Sequence, residues 1–245
     1  MTTSRTTIPL PPPELRPYVG LLEDRFYDNP TGEPPFPEVA LESYESVFDF
    51  GCGCGRLARQ LLQMQARPRS YVGVDLNAKL IDWCQEALAP CDPGFRFHHQ
   101  DVFHVGFNPE GRERVVPFPV ADRSVSLFLA WSVFTHLLAD QAEFYLSEVA
   151  RVLRPGGVLL STWFLFDKTE FPMMQEFQNA LFINEGDPTN AVIFDRAWLR
   201  RRSQELGLSF FRITPPVTRG FQWRVWMTPA ARAFPKWTFP TTSRP

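Results

Sequence analysis

Val47-Phe48-Asp49-Phe50-Gly51-Cys52-Gly53-Cys54-Gly55-Arg56 is the stretch from which the fold can be read. Residues 46–50 have the apolar composition of a buried strand, and three glycines at alternate positions follow directly. Glycine lets a chain turn tightly and lets a ligand approach backbone that a Cβ would shield. Over 56–65, Leu57, Leu61, Leu62 and Met64 recur at helical spacing, so the loop joins a strand to a helix. Dinucleotide-binding loops read GxGxxG with a small third residue. Here the pattern is GxGxG, bulky Arg56 follows it, and Asp49 stands two residues before the first glycine. A carboxylate at that place repels a pyrophosphate and attracts a cationic amino group.

Outward from the loop, short apolar runs alternate with helical patterns. Residues 71–75, 95–97 (with room to extend to 99), 124–130 and 158–165 read as strands, and 78–88 and 141–153 as helices. Residues 167–194 break the alternation and read as an insertion with a helical piece at 174–182. Asp195 caps a helix to Leu206 that Gly207 ends, and 208–214 and 222–228 read as an antiparallel pair. The sum is one α/β domain of about seven strands and six helices over 46–228. A Pro-rich segment, 1–45, precedes it as a candidate lid, and a tail at 229–245 carries Phe234, Trp237 and Phe239 among prolines.

Lys plus Arg total 25 against 27 Asp plus Glu, a net charge of -2, which argues against a nucleic-acid backbone as main partner. No apolar run reaches the roughly 20 residues of a membrane helix, and the start has no secretory core. Four cysteines make no disulfide framework, so a reducing, cytoplasmic setting is the simplest reading. Cys52 and Cys54 read as packing residues. His98, His99 and His104 near Asp101 do not make a metal site, because neighbours on a strand face opposite ways. Arg196 and Arg200–Arg202 read as a solvated helix face.

Asp75 ends the second strand, where a carboxylate can accept from both ribose hydroxyls. Asp101 ends the third, where it could accept from an adenine amino group. Ligands of open α/β sheets bind beyond the carboxyl ends of the strands, so Asp49, Asp75 and Asp101 converge on one crevice. The ligand they describe has a ribose, an adenine, a cationic tail and no phosphate.

From 47 to 228 the chain resembles a class I S-adenosylmethionine-dependent methyltransferase. Five stretches carry the resemblance, in family order: Asp49 to Gly55, Val72-Gly73-Val74-Asp75, Gln100-Asp101-Val102, Trp131-Ser132-Val133-Phe134-Thr135-His136-Leu137, and Arg151 to Gly157. It is most similar to bacterial members with a GCGCGR loop and an SVFTHL segment. The resemblance implies a Rossmann-like, seven-stranded, mostly parallel sheet with helices on both faces and an antiparallel last strand. It implies S-adenosyl-L-methionine as cofactor, held by Asp49, Gly51, Gly53, Gly55, Asp75, Leu76, Asp101, Val102 and Trp131. The implied reaction is methyl transfer to oxygen or nitrogen of a small organic acceptor. A protein or RNA acceptor, and a cofactor-binding but inactive interaction module, are the alternatives.

Methyl transfer from a sulfonium needs alignment and at most one base. His136, after the fourth strand, is the candidate base; a wall residue bonded to backbone is the competing reading. Tyr18 and Tyr27 on one side, with Trp163 and Phe166 leading into the insertion, are candidate acceptor contacts, and ordinary aromatic packing is the alternative for each.

Overall fold

A computed structural model describes residues 8–216, 222–229 and 239 of the 245-residue chain. Nine strands form one sheet among them: β1 (Ser46–Phe50), β2 (Ser70–Asp75), β3 (Phe95–His99), β4 (Val125–Ala130), β5 (Leu153–Phe166), β6 (Ala180–Phe182), β7 (Val192–Asp195), β8 (Ser209–Thr214) and β9 (Trp223–Thr228). The helices are α1 (Arg56–Leu62), α2 (Ala78–Trp83), α3 (Ala139–Val152) and α4 (Arg196–Glu205). Strands run β3-β2-β1-β4-β5 in parallel, then β9 pairs antiparallel with β5 and β8 antiparallel with β9. This is the Rossmann-like α/β sheet with the reversed last strand.

Two strands exceed the expected seven. β5 forks: Leu159 to Trp163 pair with β9, while Phe164 to Phe166 pair in parallel with β7, which carries β6 along its far side. Residues 174–182, expected as helix, hold no helix, and Ala180–Phe182 is strand instead. Pro172 opposes a helix start, and the backbone of Ala180 to Phe182 bonds across to Val192 to Phe194. β5 also begins five residues early, at Leu153; a register shift opposite Val125 and Leu127 absorbs the Arg154-Pro155-Gly156-Gly157 turn.

Both faces of the sheet are covered, so the strands read as continuous apolar runs rather than alternating ones. Alternation still sorts the faces. Phe48 and Phe50 join Phe118, Phe128 and Tyr145 in an aromatic core with ring centroids 4.6–6.4 Å apart. Val47 packs on the opposite face with Leu57, Leu61, Tyr71 and Leu127. α3 buries Ala142, Tyr145, Leu146, Val149 and Val152, the three- and four-residue spacing of one helix face. Phe239 meets Phe210 and Trp223 edge-on, while Phe234 and Trp237 lie outside the described residues. No helix among the described residues is long and apolar enough to cross a membrane.

The N-terminal segment is bound to the domain by two buried arginines. Arg59 of α1 donates to the carbonyls of Ile8, Pro9 and Tyr27 and pairs with Asp28. Arg16 donates to the carbonyls of Pro11 and Leu22 and pairs with Asp24 at 2.6 Å. Neither clamp has a local sequence pattern to announce it.

Candidate functional site

A cavity of about 600 Å³ opens at the carboxyl ends of β1, β2 and β4. Gly51 and Gly53, with φ of 77° and 55°, turn the chain out of β1 across its floor. A Cβ on Gly53 would stand 2.3 Å from Cγ1 of Val19, and one on Gly51 2.5 Å from Cγ2 of Val133. The loop therefore needs glycine both for its left-handed backbone and for its neighbours. Gly55, φ 74°, opens α1 from beneath; it lies outside the cavity wall and packs against Leu88 and Cys84.

Asp49 and Asp75 both line the cavity, Asp49 buried and Asp75 half-buried. Asp75 accepts from the Gly53 N–H through Oδ2 and from the Asn77 N–H through Oδ1, each at 2.9 Å. Burial raises its carboxyl, and those backbone donors pull it back down. The bond to Gly53 ties the loop to the end of β2, while the Asp75 side of that strand end lines the cavity. Asp49 accepts from the Tyr71 hydroxyl at 2.7 Å, and burial pushes its carboxyl up to about 6. Arg56 is the one cation in the described wall.

Leu76, Val102 and Trp131 line the same cavity, as does Tyr18. Trp131 is stacked on Phe36, ring centroids 6.0 Å apart. The next residue, Ser132, has a φ of 57° and donates its N–H to Thr162 Oγ1 at 2.7 Å, which fixes the turn out of β4. His136 reaches the wall two turns later, its Nδ1 2.9 Å from the Thr189 carbonyl oxygen.

Several expected contacts are corrected. Asp101 is outside the wall: Gln100 and Val102 line it on either side, while Asp101 points away to Arg112 at 2.6 Å. The guanidinium holds that carboxyl below the usual range. Tyr27 is fully buried behind the glycine loop, where its hydroxyl donates to the Leu21 carbonyl at 2.9 Å. Trp163 is core, stacked on Phe134 at 4.2 Å with its indole N–H on Ser161. Phe166 packs edge-on against Phe171. Residues 167–194 supply none of the described wall; they extend the sheet and reach the site through Thr189, which meets His136, and through the charge of Asp187 near His104.

The wall instead takes Pro17, Val19, Gly20, Leu21 and Phe36 from the N-terminal segment. It takes His104 and Phe107 from the irregular stretch after β3. The first group falls in the Pro-rich segment read as a candidate lid, while Phe107 carries no sequence signal beyond the excess of aromatic residues. Among the described residues no group of His, Cys, Asp and Glu is arranged to hold a metal ion. The four cysteines are thiols, three of them buried.

The donor set fits a cationic nucleoside ligand: two carboxylates, a glycine floor and no phosphate-binding pair of cations. Together with the sheet order it agrees with the class I S-adenosylmethionine-dependent methyltransferase fold that the sequence resembles. Residues 47–157 match the family model described as a methyltransferase domain. The chain is 33% identical over 116 residues to the fatty-acid O-methyltransferase of Mycolicibacterium smegmatis, covering 47% of this chain and 36% of that one. It is 23% identical over 171 residues to a tRNA N(3)-cytidine methyltransferase of Gallus gallus, covering 64% and 44%. The matched stretches span less than half of either relative. A SAM-dependent methyltransferase of Methanosarcina mazei shares the fold at a TM-score of 0.50 and 17% identity, over 80% of this chain and 98% of that one.

Proposed function

We propose that this protein transfers a methyl group from S-adenosylmethionine to oxygen or nitrogen of a small, largely apolar acceptor. One observation carries the reading: a single cavity joins the acid-lined glycine loop to an end walled by Phe36, Phe107, Trp131, Leu137 and His136. Asp75 is assigned to the ribose, Asp49 to the cationic tail, and Gly51, Gly53, Leu76, Val102 and Trp131 to the remaining contacts. The cofactor, when bound, supplies a methyl group on a sulfonium whose sulfur keeps the carbon–sulfur electron pair as the acceptor takes the carbon. His136 handles the acceptor's proton. Its Nδ1 faces a carbonyl oxygen, which only accepts, so the neutral ring keeps its proton there and Nε2 is left as the base.

The relative that acts on fatty acids supports an apolar acceptor. The tRNA relative keeps RNA in view, but Arg196 and Arg200–Arg202 contribute nothing to the described wall, and Arg201 and Arg202 pair with Glu205. The GCGCGR loop and SVFTHL segment support placing the chain with the bacterial members that share them.

Parallel calorimetric titrations with S-adenosylmethionine, S-adenosylhomocysteine and NAD test the reading. Binding of the first two without the third is the expected result; binding of NAD alone would sink it. Replacing His136 by alanine should lower turnover by roughly 10²- to 10⁴-fold and leave cofactor affinity unchanged. A fully active variant would make His136 a wall residue.

Asp49 gives opposite pH dependences for stability and binding. Its folded-state pKa of about 6 lies above the ordinary 3.8, so the folded protein takes up the extra proton between those values. Its contribution to stability therefore falls as pH rises through that window. Attraction of a cation has the opposite sign, because only the ionised carboxylate draws it. Cofactor affinity should rise as pH passes about 6 while thermal stability of the free protein declines, and Asp49→Asn should flatten both. Calorimetry and thermal melts across that range read the two trends; parallel trends would remove Asp49 from the assignment.

A further inference from the structure

Away from the acids, the cavity wall holds two imidazoles whose hydrogen bonds set opposite tautomers. His104 is buried, and its Nδ1 accepts from the Gly106 N–H at 3.1 Å, so the neutral ring carries its proton on Nε2. That Nε2 is itself buried and has no hydrogen-bond partner. Buried N–H groups left unpaired are rare, and a ligand oxygen would satisfy this one. His136 is the reverse, with the proton on Nδ1 and the lone pair on Nε2. The two ring centroids are 6.4 Å apart at 69°, and Phe107 packs against both, at 4.9 and 6.2 Å.

We propose that His104 and His136 form a paired subsite for one hydroxyl oxygen of the acceptor, His104 donating its Nε2–H to that oxygen and His136 Nε2 taking its proton. The proposal rests on the methyl-transfer reading above and narrows it to an apolar alcohol or phenol, as against a carboxylic acid. A hydroxyl oxygen has one proton and two lone pairs. The proton passes to His136, which becomes an imidazolium and later releases it to solvent. One lone pair accepts from His104, and the other is left to form the bond to the methyl carbon.

A carboxylate lacks the proton and would set an anionic oxygen against the His136 lone pair. The surrounding charge disfavours it further. Asp49 and Asp75 line the same cavity with Arg56 as the one cation in the described wall, and Asp187 adds negative charge beside His104. Burial, and secondarily the neighbouring His136, lower the His104 pKa, which keeps that ring a neutral donor.

Proton–nitrogen correlation spectra of the full chain saturated with S-adenosylhomocysteine read the tautomers directly. His104→Gln and His136→Gln assign the two signals among the four histidines. Near neutral pH, His104 should appear as the neutral Nε2–H form and His136 as the Nδ1–H form. The opposite tautomer at either ring, or a charged His104, overturns the proposal.

Titration of para-phenylphenol and para-phenylbenzoic acid into the same complex tests the acceptor class. The phenol should bind at least ~10-fold tighter than the acid, and His104→Phe should weaken it by about tenfold. His104→Gln, which keeps an N–H donor, should recover most of that loss. Tighter binding of the acid, binding of neither compound, or equal phenol affinity in all three proteins overturns the pair. Failure of S-adenosylhomocysteine to bind at all would instead remove the methyl-transfer reading beneath it, and calorimetry separates the two failures.

Discussion

Replacing Asp75 by alanine should weaken S-adenosylmethionine binding by about 1.5–3 kcal/mol, roughly 10- to 150-fold. The expected loss is large because the carboxylate has two duties. It accepts the Gly53 and Asn77 N–H groups at 2.9 Å each, which holds the glycine loop against the end of β2. The carboxylate also lines the cavity, where the proposed ribose hydroxyls would donate to a half-buried, charged acceptor. Asp75→Asn keeps the volume but replaces one acceptor by a donor, which Gly53 or Asn77 would then face. Calorimetry should place it between wild type and alanine. Unchanged affinity in the alanine protein would take Asp75 out of the site, whatever its effect on the loop.

Arg59→Leu should lower stability by roughly 2–4 kcal/mol, a fall in Tm of about 5–15 °C for a chain of this size. The guanidinium is buried, and its removal leaves the carbonyls of Ile8, Pro9 and Tyr27 without their donor. Asp28 is 41% exposed, so water repays part of its lost pairing, which keeps the estimate below that for a fully buried ion pair. Arg59→Lys should recover little, because one ammonium cannot span acceptors on two separate stretches of chain. The same change should expose the N-terminal segment to protease and loosen Val19 from the glycine loop. A shift in Tm under about 2 °C would show that the segment is held by its apolar contacts instead.

The acid-lined end of the cavity was legible because it is local. Asp49, Gly51 and Gly53 sit within five residues, and Asp75 and Leu76 follow a second apolar run. Backbone at strand ends in a parallel sheet leads to one crevice, so reading the strands was enough to bring these residues together. Asp101 failed at the level of one residue. Beyond His99 the chain leaves the strand, and Gln100 and Val102 took the cavity side while Arg112, eleven residues on, drew Asp101 outward. The helix read at 174–182 failed because a three-residue strand pairing with β7 depends on a partner ten residues away.

The aromatic end of the cavity depended on contacts distant in sequence. Val19 lies over Gly53, Phe36 over Trp131, and Thr189 sets the tautomer of His136 from 53 residues away. No periodicity or motif encodes such meetings, because long-range packing and single hydrogen bonds leave no repeat in the chain. By itself, then, the sequence determined the parallel sheet, the glycine loop and the acids at its strand ends, since local patterning and strand polarity suffice for those. Only the tertiary structure decided which aromatic residues wall the cavity, that the N-terminal segment rather than the insertion supplies that wall, and which backbone groups His104 and His136 meet. Those depend on neighbours the chain acquires only when it folds.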